Sequence, residues 1–373
     1  MTASPPIRAS CFVTPHGFGH AARACAVMEA VHDLAPGSFF DVYTRVPEAF
    51  FEESLSGPFA WHDRLTDIGI AQNGPLEPDL VETVRRLDGF LPFDPDLVRG
   101  LAGEVGDRGS RLVLSDIAPL GIAVAREAGL PSVLLENFTW DWIYAGFPGV
   151  QGLERHAAYL KGLFRKADRR IQTEPVCERA PGAPSVPPVS RRPRTPRQEV
   201  RSALGVEPDR PLVLVTLGGV PGSWAFFDRL RQTEGVRFLF PGGSETPVRE
   251  GNLTLLPPHS GFYHPDLIRA SDAVVGKAGY STLAEVYEAG RPFGFVLPGS
   301  FRESAVLASF VRDRMPGMPI PEPRLLDGSW VDDLPALLSL SRAPRRSTGG
   351  AEAAARMLLE IAGPGEPSPR KPP

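Results

Sequence analysis

The chain has 373 residues, 42% hydrophobic and 23% charged, enough for about two ordinary globular domains with apolar cores. A net charge of −4 leaves no electrostatic footprint for nucleic acid, and no apolar run reaches the ~18 residues of a membrane-spanning helix. The start lacks a basic region followed by a long apolar stretch, so no signal peptide is expected. The three cysteines, Cys11, Cys25 and Cys177, have neither disulfide-framework nor zinc-site spacing. The chain reads as cytoplasmic.

In chain order, residues 9–14 read as a buried strand, 21–34 as the helix after it and 39–44 as a second strand. Residues 111–115 form a further strand, followed by a helix through Glu127 and a strand over 132–136. Strands alternating with helices predict right-handed βαβ units and a parallel sheet. Residues 180–198 then break the rhythm with six prolines, several arginines and no apolar periodicity, predicting a linker or a surface strap. The βα rhythm restarts with strands over 211–217, 236–240, 253–256, 273–275 and 293–297. This divides the chain into an N-terminal α/β domain over 1–190, a C-terminal one over 191–362 and a disordered tail over 363–373. No repeat of 20–50 residues is present, and nothing selects an oligomeric state.

The first strand runs into Thr14, Pro15, His16, Gly17, Phe18, Gly19 and His20. Glycines between a strand and a helix let the backbone approach a ligand, and the helix start favours negative charge. The turn is not G-x-G-x-x-G, and no acidic residue ends the second strand, so no nicotinamide or flavin cofactor is expected. His20 lies where ligands bind in open α/β sheets; its alternative role is to cap the helix. Asp116, after an apolar strand of the same sheet, is placed to orient the His20 ring and stabilise its protonated form. Its alternative is a plain helix cap.

In the second half, the strand over 211–217 ends in a glycine turn, Gly218, Gly219, Val220, Pro221 and Gly222, whose amides can face a phosphate. Further on come Lys277, Ala278, Gly279, Tyr280, Ser281, Thr282, Leu283, Ala284 and Glu285. Ser281 and Thr282 are suited to cap a helix whose free amides point at a diphosphate. Glu285 is placed either to reach ribose hydroxyls or to close a capping box with Thr282. His259, Phe262 and Tyr263 follow a strand between these segments, where they either pack a nucleobase or join the core.

Gly19–His20 and the A-G-x-x-T-x-x-E pattern from Ala278 to Glu285 resemble the GT-B glycosyltransferases, notably the branch with the bacterial lipid II-forming N-acetylglucosaminyltransferase. Plant-type sugar transferases of that fold pair the loop histidine with an aspartate after a later strand, as Asp116 stands here. A resemblance over nearly the whole chain is to the glycosyltransferase-like N-terminal region of plant L-arabinokinases and its stand-alone bacterial relatives. Residues 112–119, 136–144 and 271–280 carry it, with Arg191 and Arg192 of the linker. The chain lacks the P-x-x-x-G-L-x-S-S-A loop of the kinase half, so sugar phosphorylation is not expected.

The resemblance implies two facing Rossmann-like domains with a nucleotide-sugar, most commonly a UDP-sugar, in the cleft and a hydroxyl acceptor opposite. His20 and Asp116 become the catalytic pair. Gly219, His259, Lys277, Gly279, Tyr280, Ser281, Thr282, Glu285 and Glu303 become donor contacts, Glu303 in the place of a polar pair that holds the donor sugar. His16, Gly17 and Phe18 become acceptor contacts. The aromatics just after the strand over 132–136 add Asn137, Trp140 and Asp141 as sugar contacts, the alternative being a short helix that packs its aromatics into the domain. Asp94, Pro95 and Asp96 have the letters of a metal-binding D-x-D motif, but they sit at a helix start where capping accounts for them, and no metal is expected. A sugar transferase, inverting and metal-independent, is the reading that follows. Its alternatives are a non-catalytic nucleotide-sugar binding protein and a nucleotide-sugar epimerase.

Overall fold

The computed structural model describes residues 4–73, 77–217, 224, 226–299, 301–343 and 349–363. The first apolar runs form one seven-stranded sheet. Across it the strands lie in the order Phe59–Asp63, Phe39–Thr44, Arg8–Val13, Val113–Asp116, Ser132–Glu136, Arg169–Thr173 and Ser185–Val186, all parallel. The interior strands are buried on both faces, which explains their continuous apolar runs. Strand order reverses direction between Arg8–Val13 and Val113–Asp116, which pair with Val13 opposite Asp116.

The second half repeats this plan. Its strands lie in the order Val248–Glu250, Leu253–Leu256, Arg237–Pro241, Leu212–Thr216, Ala273–Lys277, Phe293–Val296 and Gly317–Pro319. Only the pair at the Val248–Glu250 edge is antiparallel. Here the order reverses between Leu212–Thr216 and Ala273–Lys277, with Thr216 opposite Gly276. Each half thus has a topological switch point, where a crevice opens beyond the carboxyl ends of the strands. Gly276 is required at its position, because a Cβ there would lie 1.9 Å from the Thr216 carbonyl oxygen.

Two segments tie the halves together. The proline-rich stretch adds the edge strand Ser185–Val186 and then runs as a strap with Arg191 buried. Arg191 donates through Nε to Glu285 Oε1 (2.9 Å) and through Nη1 to Ser54 Oγ (3.0 Å), joining helix Tyr280–Ala289 to helix Glu48–Ser54. The final helix, Gly350–Ala362, departs from the expected division at residue 190. It crosses back and packs Ala351, Ala354, Ala355, Leu358 and Ala362 into the N-terminal core beside helix Phe18–Leu34. Sequence order cannot reveal which core receives a terminal amphipathic helix; its small-residue face fits closely against the alanine-rich first helix. No helix among the described residues is long and apolar enough to cross a membrane.

Candidate functional site

Gly17 takes a left-handed φ of 75° as the residue before helix Phe18–Leu34, so the chain turns directly from strand to helix. The helix begins three residues before the expected start, placing His20 in its first turn. Its cap position is Gly17, without a side-chain bond, so His20 is not a cap. Asp116 is not a cap either, since Ala118 precedes helix Pro119–Ala128. Between them Ile117 has a φ of 41°, an arrangement costing a β-branched residue on the order of 1–3 kcal/mol, and a bridge from Val13 to Ile117 spans this turn.

His20 Nδ1 and Asp116 Oδ1 lie 2.9 Å apart, both buried. Arg23, one helical turn beyond His20, grips the same carboxylate: Nε donates to Oδ2 at 2.8 Å and Nη2 to Oδ1 at 2.6 Å. Its remaining nitrogen donates to Asn137 Oδ1 and Thr173 Oγ1. Arg23 Nη2 also lies 3.2 Å from His20 Nδ1, but both the guanidinium and an Nδ1–H are donors, whereas the carboxylate only accepts. The His20 proton therefore belongs on Nδ1, facing Asp116. Burial would raise the Asp116 carboxyl, but the charge and hydrogen bonds of Arg23 and the bond from His20 hold it below its usual range. Burial lowers His20 more than the Asp116 bond and charge raise it, so the ring is neutral near pH 7.

The same cavity, of about 220 Å³, is lined from the other domain by Lys277, Gly279, Tyr280, Ser281 and Thr282. Helix Tyr280–Ala289 starts one residue before Ser281 with Gly279 in the cap position and no side-chain cap. Ser281 and Thr282 consequently stand in the first turn with its free amides, not in the capping role expected of them. The two glycine turns approach closely: a Cβ on Gly19 would lie 3.1 Å from Ser281 Oγ. Tyr280 reaches across to Cys177, with its hydroxyl 2.8 Å from Sγ, and to Phe138, with ring centroids 5.5 Å apart. Glu303 also lines the cavity; its Oε2 is buried without a hydrogen-bond partner among the described residues, and burial raises its carboxyl despite the opposing charge of Lys277. Burial likewise lowers Lys277 from the usual lysine range, with Glu303 opposing.

His16, Gly17, Phe18, Asn137 and Trp140 line the N-terminal side. Asn137 is tied to Arg23 and to the carbonyls of Thr173 and Pro175, so it braces the wall. Asp141 is not on this wall. Being next to Trp140 on a helix, it points the other way, into a separate basic pocket with Lys161, Arg165 and Arg170. Glu285 is also absent from the cavity lining, because its carboxylate is taken up by Arg191 and by His264 Nδ1 at 2.9 Å. That excludes the capping box. His259 is exposed and outside the cavity lining, while Tyr263 packs under Arg191 and Arg194 and Phe262 joins the core. Gly219 and its turn lie outside the described residues.

Arg23 and Thr173 escaped sequence reading. The spacing of Arg23 three residues after His20 was the available signal, since both then share a helix face. Arg302 was passed over as well: it stacks on Trp142 at 4.2 Å and donates to the Trp142 carbonyl at 3.1 Å across the domain boundary. Asp94 accepts the Asp96 amide at 2.9 Å and caps helix Pro95–Asp107, as its position suggested. Among the described residues no group of three or more His, Cys, Asp or Glu side chains is placed to hold a metal ion.

No family model matches the chain. The L-arabinokinase of Arabidopsis thaliana is 30% identical over 357 residues, covering 94% of this chain and 34% of that protein. The chain thus spans about a third of the length of the curated relative it matches. Among solved structures, the glycosyltransferase SnogD from Streptomyces nogalater is similar with a TM-score of 0.53 at 19% identity, over 96% of this chain and 100% of that one. A UDP-glucosyltransferase from Polygonum tinctorium gives 0.59 at 14% identity, over 97% and 99%. The MurG of Acinetobacter baumannii gives 0.52 at 17% identity, over 96% and 99%. The fold is that of the GT-B glycosyltransferases.

Proposed function

We propose that this GT-B chain is a glycosyltransferase that moves a sugar from a nucleotide-sugar, a UDP-sugar in this reading, to an acceptor hydroxyl. Inversion and metal independence belong to the same proposal. The observation that carries it is His20, hydrogen-bonded through Nδ1 to Asp116, in one cavity with the first turn of helix Tyr280–Ala289, which no side chain caps.

His20 Nε2 takes the proton of the acceptor hydroxyl. The hydroxyl oxygen attacks the anomeric carbon from the face opposite the diphosphate, and the carbon–oxygen bond to the diphosphate breaks. The imidazolium formed is stabilised by Asp116, whose carboxylate Arg23 keeps ionised and fixed in place. Charge developing on the leaving diphosphate meets the amides of Tyr280 to Thr282 and the ammonium of Lys277, dipoles and charge already in position. These groups do the neutralising that a divalent cation does elsewhere, which is the ground for metal independence. The unpartnered Glu303 oxygen is offered to donor-sugar hydroxyls. His16, Phe18 and Trp140 are assigned to the acceptor.

General-base help is typically worth about 10²–10⁴-fold. His20→Ala is expected to lower turnover by that order while nucleotide affinity, measured by calorimetry, stays within a few-fold. Unchanged turnover removes His20 from the mechanism. Nucleotide-sugar binding by the wild-type protein without transfer or donor hydrolysis would favour the binding-protein reading instead.

A further inference from the structure

His16 has a different environment from His20, and the difference fixes its chemistry. Its ring lies against Gly69, where a Cβ would come within 2.8 Å of the imidazole; Gly69, at a left-handed φ of 63°, has none. The Ile70 amide donates to His16 Nδ1 at 3.4 Å. A backbone N–H only donates, so Nδ1 carries the lone pair and the ring proton sits on Nε2. Burial, with smaller contributions from the charges of His20 and Lys277, lowers the ring to about 3, so it stays neutral across the physiological range. In His20 the proton is on Nδ1, and Nε2 is the acceptor.

The two rings bear on one indole. His16 meets Trp140 edge-on at 5.1 Å between centroids, and His20 lies at 6.4 Å from the same ring. Both histidines line the cavity, and among the described residues no protein group bonds either Nε2. The wall thus presents one hydrogen-bond donor and one acceptor, both beside Trp140.

We propose that this pair selects an acceptor with at least two hydroxyls, of the kind found in sugars and polyols. His20 Nε2 receives the attacking hydroxyl's proton, and His16 Nε2–H donates to the oxygen of a second hydroxyl. The inference rests on the transferase reading for the role of His20. It adds the class of acceptor and makes His16 a positioning residue that never changes charge.

The test begins with the tautomers. In protein labelled with ¹⁵N-histidine, the ring nitrogen shifts should place the His16 proton on Nε2 and the His20 proton on Nδ1, with His16 not titrating between pH 5 and 8. The acceptor class is tested by saturation-transfer NMR and calorimetry with methyl pyranosides of glucose, galactose, mannose and xylose and their monodeoxy analogues. For at least one pair the parent should bind about 10-fold more tightly, the worth of one well-placed neutral hydrogen bond. His16→Ala should abolish that difference. His16→Gln, which keeps an amide donor, should restore much of it.

A His16 proton on Nδ1, or a deoxy preference unchanged in His16→Ala, overturns the proposal, as does a panel in which nothing binds. Neither readout needs turnover. Intact tautomers and diol selection in a protein without transfer activity would support this inference and overturn the transferase reading.

Discussion

Replacing Asp116 by asparagine tests the centre of the N-terminal site with almost no change in shape. The carboxylate is fully buried and receives three strong bonds, two from Arg23 and one from His20. An amide offers one oxygen to those three donors and turns an NH₂ toward at least one of them, leaving the buried guanidinium without its counter-charge. Breaking a buried ion pair from one side costs about 3–5 kcal/mol. At roughly 2–4 °C per kcal/mol for domains of this size, the first unfolding transition should fall by roughly 6–20 °C. The stability lost has a definite pH signature. Asp116 is held below its unfolded value, so its contribution is fully present above about pH 4 and disappears as the pH falls through its folded pKa. Differential scanning calorimetry of wild type and variant from pH 7 downward should therefore show curves that approach each other at the acid end. Turnover should drop by about 10²–10⁴-fold in the same variant, because the amide neither fixes the Nδ1–H tautomer nor balances the imidazolium. A transition within 2 °C of wild type at pH 7 would refute the premise that Arg23 depends on this carboxylate.

Two further outcomes follow from the geometry of the cleft. Gly19→Ala puts a methyl 3.1 Å from Ser281 Oγ and should force the two glycine turns apart, raising the KM for the nucleotide-sugar; adding Ser281→Ala should recover part of the loss, with a coupling of about 0.5–3 kcal/mol in a double-mutant cycle. Additive effects would mean the turns do not meet in solution. His16, neutral down to about pH 3, makes the folded chain bind fewer protons than the unfolded one below pH 6.5, so its contribution to stability is lost as the pH falls. Asp67, raised by burial to about 7, works in the opposite direction over the same range, so the comparison must be with a His16→Gln variant. Between pH 6 and 4 the wild type should lose up to about 1.4 kcal/mol per pH unit more than that variant in urea unfolding, and parallel curves would contradict the half-buried, neutral ring.

Much of this architecture was legible because parallel strands buried on both faces must be continuously apolar, and the runs around Phe12, Val42, Leu114, Leu134, Val215 and Val275 announce themselves. The edge strands Phe59–Asp63 and Gly317–Pro319 were not, since an edge exposes one side and loses the apolar run. The histidine and aspartate of the site stood out as polar residues at strand ends. Arg23 did not. Its partners Asp116, Asn137 and Thr173 lie 93, 114 and 150 residues away, and only the folded sheet brings three strand ends to one guanidinium. Glu285 illustrates the converse. Its position in a recognisable motif pointed to ribose, yet the strap delivers Arg191 to the same carboxylate, which no local pattern foretells.

The strap and the last helix bear on how the cleft works. On one side, Arg191 bonds Ser54 in the N-terminal domain and Glu285 in the C-terminal domain while lying over the rings of Phe50 and Tyr263. On the same side Arg194 bonds the carbonyls of Glu53 and Ser54 through its side chain and Asp266 through its backbone. These are buried or multiply bonded contacts, and together with the returning helix Gly350–Ala362 they make a stiff join. Across the cleft the domains meet through Tyr280 on Cys177 and Phe138, Phe301 on Phe147 and Arg302 on Trp142, contacts fewer and less charged than those of the strap. Opening for a ligand should therefore pivot on the strap and separate the Tyr280 and Arg302 contacts first. Because Tyr280 begins the helix whose first-turn amides line the cavity, such an opening would withdraw those amides from His20, and closure would bring them back together.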